Sequence, residues 1–425
     1  MSPKVRGCST CRSERWGIAT VGFVSNSVRA AARVALTIAP SALLNRLLPV
    51  GQRFDRAQPT PAITSPATAV RLLVAPTNTA SQGWAVARAV ERLGGVGART
   101  SGIVPRGGGY GFLADQEVPP NEYRWSARWH RAQRRAVLDG FTHVLLEAGR
   151  PLFGDAFARS VDTDIAALRR AGIGVALLFH GSELRLPSRH LARMPDSPFA
   201  EGFWSSTPTL EVQAVRNRAL ADSFDGPMFV ATPDLLLDLP QAVWLPVTID
   251  PAQWSSPRAA FTGLDGAPIV SHVPSSAVVK GTDLIEPMLT RLHDEGVIRF
   301  APIRGLKASE MPAAYTGADI VLDQFRIGTY GVAAVEAMAA GRFVISNVGE
   351  QVRGEVEQQL GETVPIIEAT AGTLEQVLRD VVADPEAVRP LVDRGPGFVE
   401  RHHDGRRAAE VLSTWLTGSA QQLVD

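Results

Sequence analysis

Apolar positions along this chain fall into short continuous runs that alternate with stretches of helical spacing. Val70–Ala75, Thr142–Leu146 and Gly174–Phe179 are runs of strand length, while Trp84–Leu93 and Asp162–Ala171 carry apolar residues three and four apart. A second series follows Trp254. Its predicted strands are Pro268–Val273, Ile298–Ala301, Ile320–Leu322 and Phe343–Ser346. Its predicted helices are Asp283–Leu292, Ser309–Tyr315, Val332–Ala340 and Leu374–Val382. Strands alternating with crossover helices build parallel sheets covered on both faces. Two such series predict an α/β protein of two doubly wound domains facing each other. Before the first strand, Gln58–Ala69 carries Pro59, Pro61 and Pro66 among Thr, Ser and Ala, and reads as a linker.

The chain has 425 residues, enough for two or three domains with their own cores. Lys and Arg number 43, and so do Asp and Glu, which argues against a whole-protein nucleic-acid binder. Two cysteines exclude a disulfide scaffold and fit a reducing cytoplasm. Cys8 and Cys11 form a lone CxxC with no second pair to complete a zinc site. No charge-free apolar run is long enough for a membrane span. The balance hides one asymmetry: residues 1–56 hold nine basic residues against two acidic ones. Their apolar stretches, Ile18–Val24 and Val34–Ala39, are short and divided by arginines, so no secretory leader is expected. A helix over Ser27–Ala39 would suit an arm on an anionic membrane surface. A helix packed on the body, or a disordered leader, fits the same pattern.

Ligands of open α/β sheets bind beyond the carboxyl ends of the strands, so four loops carry the candidate chemistry. Asp323–Gly341 runs from a strand end through glycines into a helix start, where backbone N–H groups suit a phosphate. Glu336 is the one charged residue in Val332–Ala340; it is either a structural ion-pair member or an acceptor for sugar or ribose hydroxyls. His272–Asp283 brings Lys280 and Gly281 to a helix start, where an ammonium can neutralise a diphosphate or lie solvated. Phe179–Arg185 follows an apolar strand and points His180 into the cleft, or caps the next helix with it. Thr77–Trp84 places Gly83 at a helix start, to admit a ligand or simply to turn.

Taken together, these segments resemble the retaining GT-B glycosyltransferases of the large family with an E-x7-E motif (family four). The resemblance covers roughly residues 70–420. GVAAVEAMAAGRFVIS resembles the family's second-Glu helix and following strand, and VVKGTDLI its Lys-Gly segment. LPVTIDPAQW resembles the interdomain segment, and HHDGRRAAEVL, within Phe398–Leu416, the closing helix that returns to the first domain.

The resemblance implies a GT-B fold with a basic N-terminal extension and linker over 1–66. An acceptor-side Rossmann-like domain would span 67–248, a nucleotide-sugar domain 249–396 and a returning helix 397–425. It implies a hexosyltransferase that moves sugar from a nucleotide-diphosphate donor, such as a UDP or GDP sugar, to a hydroxyl with retention. The acceptor would be a glycan, a lipid-linked sugar or a small molecule, in a cell-envelope setting, with the enzyme in the cytoplasm or peripheral at the inner face of the membrane. By resemblance, Glu336 holds the ribose and Lys280 the diphosphate. Thr329, Tyr330, Gly331 and Val332 form the loop whose amides face sugar and phosphate. His180 contacts the donor sugar, and Ile303 and Arg304 lie where the base-binding strand ends. His180 and Lys280 are the catalytic candidates, and Gly83 is a donor-binding candidate. No DxD-like cluster stands at a strand end, so neither metal nor other cofactor is expected. Two departures stand out. Gly328 occupies the position of the first Glu, and Ser275, Ser276 and Ala277 replace the usual Arg before Lys280. Arg326 or Arg304 would then supply the missing charge, and Asp323 or Gln324 the missing acceptor. A non-catalytic nucleotide-sugar binder, motivated by Gly328, and a nucleotide-sugar epimerase are the alternatives.

Overall fold

The computed structural model describes residues 45–421 except 107, 157–158, 257, 259–260 and 264–265, with side chains to residue 418. The expected Ser27–Ala39 helix, Cys8, Cys11 and most of the basic arm lie outside the described residues.

Twelve strands among the described residues form two sheets. The first sheet contains β1 (Val70–Ala75), β2 (Val96–Ile103), β3 (Gln116–Val118), β4 (His143–Glu147), β5 (Gly174–Phe179), β6 (Met228–Val230) and β7 (Val243–Trp244). Its order is β3-β2-β1-β4-β5-β6-β7, and each pairing is parallel. The second contains β8 (Ile269–His272), β9 (Arg299–Phe300), β10 (Ile320–Leu322), β11 (Phe343–Ser346) and β12 (Ile367–Glu368), in order β12-β11-β10-β8-β9, again parallel throughout. The central strands are apolar on both faces because helices cover both. Leu72, Leu73 and Val74 have no exposed surface, and neither do Val144, Leu145 and Leu146. Each such side chain contributes about 1.5–3 kcal/mol relative to exposure.

Strand β2 lacks an apolar run, which is why periodicity passes over it. Its buried polar groups are satisfied by the neighbouring edge instead: Thr100 N–H donates to Asp115 Oδ2 at 2.8 Å, and Ser101 Oγ to Gln116 Oε1 at 2.6 Å. The proline-rich stretch is no free linker. Thr60 N–H donates to Glu122 Oε1 and Ile63 N–H to Gln133 Oε1, both at 3.0 Å, and Ile63 itself joins the core.

The chain passes between the two sheets twice. It leaves the first near Val247, where His403 Nδ1 lies 2.7 Å from Val247 O. It returns through two helices, Arg394–His402 and Arg406–Gln421, rather than the single element expected from Gly397 to Leu416. Ala408, Leu412 and Leu416 pack with Val86 and Val90 of the first domain. The carboxyl ends of the two sheets consequently face one cleft.

Candidate active site

A cavity of about 520 Å³ lies in that cleft, lined from the first domain by residues such as His180 and Arg185 and from the second by Lys280 and Glu336. Tyr110 bridges the domains at its rim: the hydroxyl donates to Ser275 O at 3.0 Å, and Ala308 N–H donates to Tyr110 O at 2.7 Å.

On the second-domain wall, Lys280 ends a short helix (Ala277–Lys280) and its ammonium pairs with Asp323. Asp323 directly follows β10, is fully buried, and takes the Gly331 N–H on Oδ2 at 3.4 Å. That helix start would suit a phosphate by its sequence, but an internal carboxylate already meets it. Gln324 shapes the next loop. Its Oε1 accepts from Arg326 N–H at 3.1 Å and Ile327 N–H at 2.7 Å, and its Nε2 donates to Thr329 O and Asn347 O. As free replacements for the missing Glu, Asp323 and Gln324 are therefore already engaged. Thr329, Tyr330, Gly331 and Val332 line the cavity, as does Ile303. The Tyr330 ring, however, is buried against His403 at 5.9 Å.

Glu336 sits in the second turn of Val332–Ala339 and is half-buried in the cavity wall. Ala334, Val335, Ala337 and Met338 around it are buried, as the unbroken apolar pattern requires. Burial pushes its carboxyl from an ordinary 4.5 up to about 8; Lys280 and Tyr315 pull against this, and Asp323 adds to it. The Tyr315 hydroxyl is the polar neighbour but lies outside regular hydrogen-bond geometry. Glu336 is thus a carboxyl with little internal compensation, facing the cleft.

Three expected contributors, and the glycine at the first-Glu position, stand elsewhere. Arg326 locks the two domains together instead of entering the cavity. It pairs with Asp283 at 2.7 Å, donates to Asp196 O at 3.0 Å, and lies 4.0 Å over the Phe203 ring. Beside it, His190 Nε2 meets Ile327 O at 3.0 Å. Arg304 is exposed, pairs with Glu286 and is not among the lining residues. Gly83 approaches no ligand space: a Cβ there would lie 3.1 Å from both Asn78 Oδ1 and Glu147 Oε1. Gly328 has φ +76°, and a Cβ would come within 2.9 Å of Met194 Cε. It faces a second cavity of about 260 Å³ bounded by His190, Arg193 and Asp234. The position resembling the first Glu is therefore an interdomain contact.

Behind the first-domain wall lies a residue that the sequence pattern alone does not single out. Glu147, the last residue of β4, is fully buried. Its Oε2 accepts Thr77 N–H at 2.9 Å and Asn78 N–H at 2.8 Å, and its Oε1 lies 3.0 Å from His180 Nε2. His180 follows β5, the neighbouring strand, and its own N–H donates to Glu183. Burial lowers the His180 pKa, but the Glu147 hydrogen bond and the charges of Glu147 and Glu183 outweigh it and leave it raised. The expected strand ended at Leu146, one residue short. The available signal was a lone carboxylate at the carboxyl end of an apolar strand. Among the described residues, no group of three or more His, Cys, Asp or Glu is placed to hold a metal ion, and no helix is long and apolar enough to cross a membrane.

No protein-family model matches this chain, and no curated protein matches it in sequence. Solved structures do match. Sucrose-phosphate synthase from Thermosynechococcus elongatus superposes with a TM-score of 0.53 at 12% identity, over 83% of this chain and 98% of that one. Anabaena HepE, in complex with UDP and glucose, gives 0.50 at 12% identity, over 81% and 98%. With two parallel sheets of seven and five strands around one cleft, the chain has the GT-B fold, the architecture of these glycosyltransferase neighbours.

Proposed function

We propose that this chain is a glycosyltransferase. It moves a hexosyl group from a nucleoside-diphosphate sugar to a hydroxyl acceptor, with retention and without a bound metal. The observation that carries this reading is the convergence, in one GT-B cleft, of Lys280, the 329–332 backbone and the under-compensated Glu336. HepE, a structural neighbour, was solved with UDP and glucose, which supports a nucleotide sugar as the ligand class.

The chemistry follows from these groups. When the bond between the anomeric carbon and the diphosphate oxygen breaks, the electron pair leaves with the diphosphate. Charge grows there, and prepositioned donors lower the barrier. An ammonium has three N–H donors. Asp323 engages one and fixes the head group, leaving the others for the diphosphate. Glu336, once ionised, accepts from ribose hydroxyls. The acceptor enters along the first-domain wall past His180, with the Tyr110 bridge helping to exclude water. Under this reading residues 67–248 are the acceptor side and 249–396 the donor side, and residues 1–56 bring the enzyme to anionic lipid at the inner face of the membrane.

The test is a panel of UDP, GDP and ADP sugars. Melting temperature reports binding, diphosphate release in the presence and absence of EDTA reports turnover, and proton NMR of the product reports its anomeric configuration. A donor that binds and is slowly hydrolysed or transferred supports the reading. Binding of no nucleotide sugar by the folded protein would overturn it.

A further inference from the structure

Glu147 stands out because nothing in an all-apolar strand end requires a carboxylate. Removing such a group from water is expensive unless it is fully hydrogen-bonded. Here it is: two backbone amides occupy Oε2, and the ring of a cleft-lining histidine meets Oε1. The surrounding backbone is shaped to permit this. Ala148, directly after Glu147, has φ +58°, and Asn78, Ala80 and Ser81 in the facing loop have φ between +49° and +61°. Left-handed conformations of non-glycine residues persist only where the surroundings fix them. Asn217 Nδ2 ties the turns together, donating to Ala148 O at 3.2 Å and Glu183 O at 2.9 Å. Gly83 leaves the room that Oε1 occupies.

We infer that Glu147 is a positioning residue that acts through His180, fixing Nε2–H inward so that Nδ1 is left for the bound donor. This rests on the glycosyltransferase reading. A carboxylate whose other oxygen already accepts two amides also accepts at Oε1, so the proton of that contact belongs to Nε2. Among the described residues, no group hydrogen-bonds Nδ1. The charged groups acting on the ring are Glu147 and Glu183, while Arg185 of the same domain and Lys280 and Glu336 of the other line the same cavity. Glu147 and Glu183 raise the His180 pKa above its ordinary value against the lowering by burial, and in its protonated form the ring donates from both nitrogens. The ring cannot flip without unpairing a buried carboxylate.

The experiment is a 15N-histidine NMR titration of the wild-type protein and of Glu147→Gln, with His180→Asn to assign the resonance. The expected wild-type result is a His180 midpoint above 6.5 and a neutral form protonated on Nε2. In Glu147→Gln the amide can donate to Nε2, so the midpoint should fall by at least one pH unit and the neutral form should move its proton to Nδ1. With turnover established, Glu147→Gln should lower kcat at least tenfold with donor KM changed less than threefold, and move the alkaline limb of kcat to lower pH. An unchanged His180 midpoint, or an alkaline limb that stays in place, makes Glu147 merely structural and overturns the inference. If Glu147→Gln does not fold, the wild-type tautomer and midpoint decide alone: a midpoint below 6.5 or an Nδ1–H neutral form overturns it. If the NMR outcome holds while no nucleotide sugar binds, the pairing stands and the proposed function fails.

Discussion

Glu147, behind His180 in the first domain, and Glu336, in the cavity wall of the second, have opposite surroundings. Glu147 is wholly buried yet receives three donors from its own domain. Glu336 is less buried, but no donor of regular geometry reaches it among the described residues, and its carboxyl is pushed up to about 8. Burial alone does not determine how a carboxyl behaves; the supply of hydrogen-bond donors does. The first wall is a closed network that fixes one imidazole. The second is left incomplete at the point where a ribose would supply two hydroxyls. Lys280 with Asp323 is intermediate, paired internally but with donors to spare.

The largest expected effect breaks that intermediate pair. Lys280→Ala strands the fully buried Asp323 carboxylate, which should cost about 3–5 kcal/mol of stability in urea titration. Adding Asp323→Asn should recover much of it, because the stranded charge is removed. Failure of the double variant to recover would show that Lys280 stabilises through packing instead.

Glu336→Ala comes next. It should weaken binding of the nucleoside diphosphate by about 1.5–3 kcal/mol in calorimetry, the range for hydrogen bonds to a charged group. Glu336 also predicts a sign in pH. Its folded-state value of about 8 lies above the ordinary 4.5, so its contribution to stability is complete below about 4.5 and lost as pH rises through about 8. Glu336→Gln should therefore gain in melting temperature relative to wild type between pH 7 and pH 9. Parallel curves would mean that Glu336 already has a partner.

Gly328→Ala should cost about 1–2 kcal/mol in the same urea assay, the penalty of a left-handed β-carbon, with Met194 shifting to admit it. The smallest effect belongs to Arg304→Ala. Its pair with Glu286 is solvent-screened, so thermal melts should move by no more than about 0.5 kcal/mol. A larger loss would place Arg304 in the fold's interior balance, where its exposure says it does not belong.

The elements that were legible in the sequence are those with apolar periodicity: β5, β10 and β11 fall on the predicted residues, and the Val332 helix differs by one. What was hidden is what long-range pairing decides. β2 carries glycines and polar residues that only its neighbour satisfies, and the returning segment breaks at His403, which is fixed by Val247 of the other domain. The same holds for the site. His180, Lys280 and Glu336 line the cleft because the segments that follow strand ends open onto it. Arg326 and Gly328 do not, because whether a loop residue meets the ligand or the opposite domain depends on Phe203, Asp196 and Met194, more than a hundred residues away. Glu147 needed its neighbour in space, not in sequence, to become visible.

If Glu336 is the carboxyl left open for the ligand, nucleotide binding draws a proton from it. Proton release on nucleotide binding tests it most directly. The measurement is calorimetry at pH 7, in buffers of different ionisation enthalpy, with whichever of UDP, GDP or ADP raises the melting temperature. A carboxyl near 8 is mostly protonated at pH 7, and it becomes an acceptor on both oxygens, one for each ribose hydroxyl, only when it ionises. Wild type should release close to one proton more per bound nucleotide than Glu336→Gln. Equal proton counts in the two proteins would contradict the account.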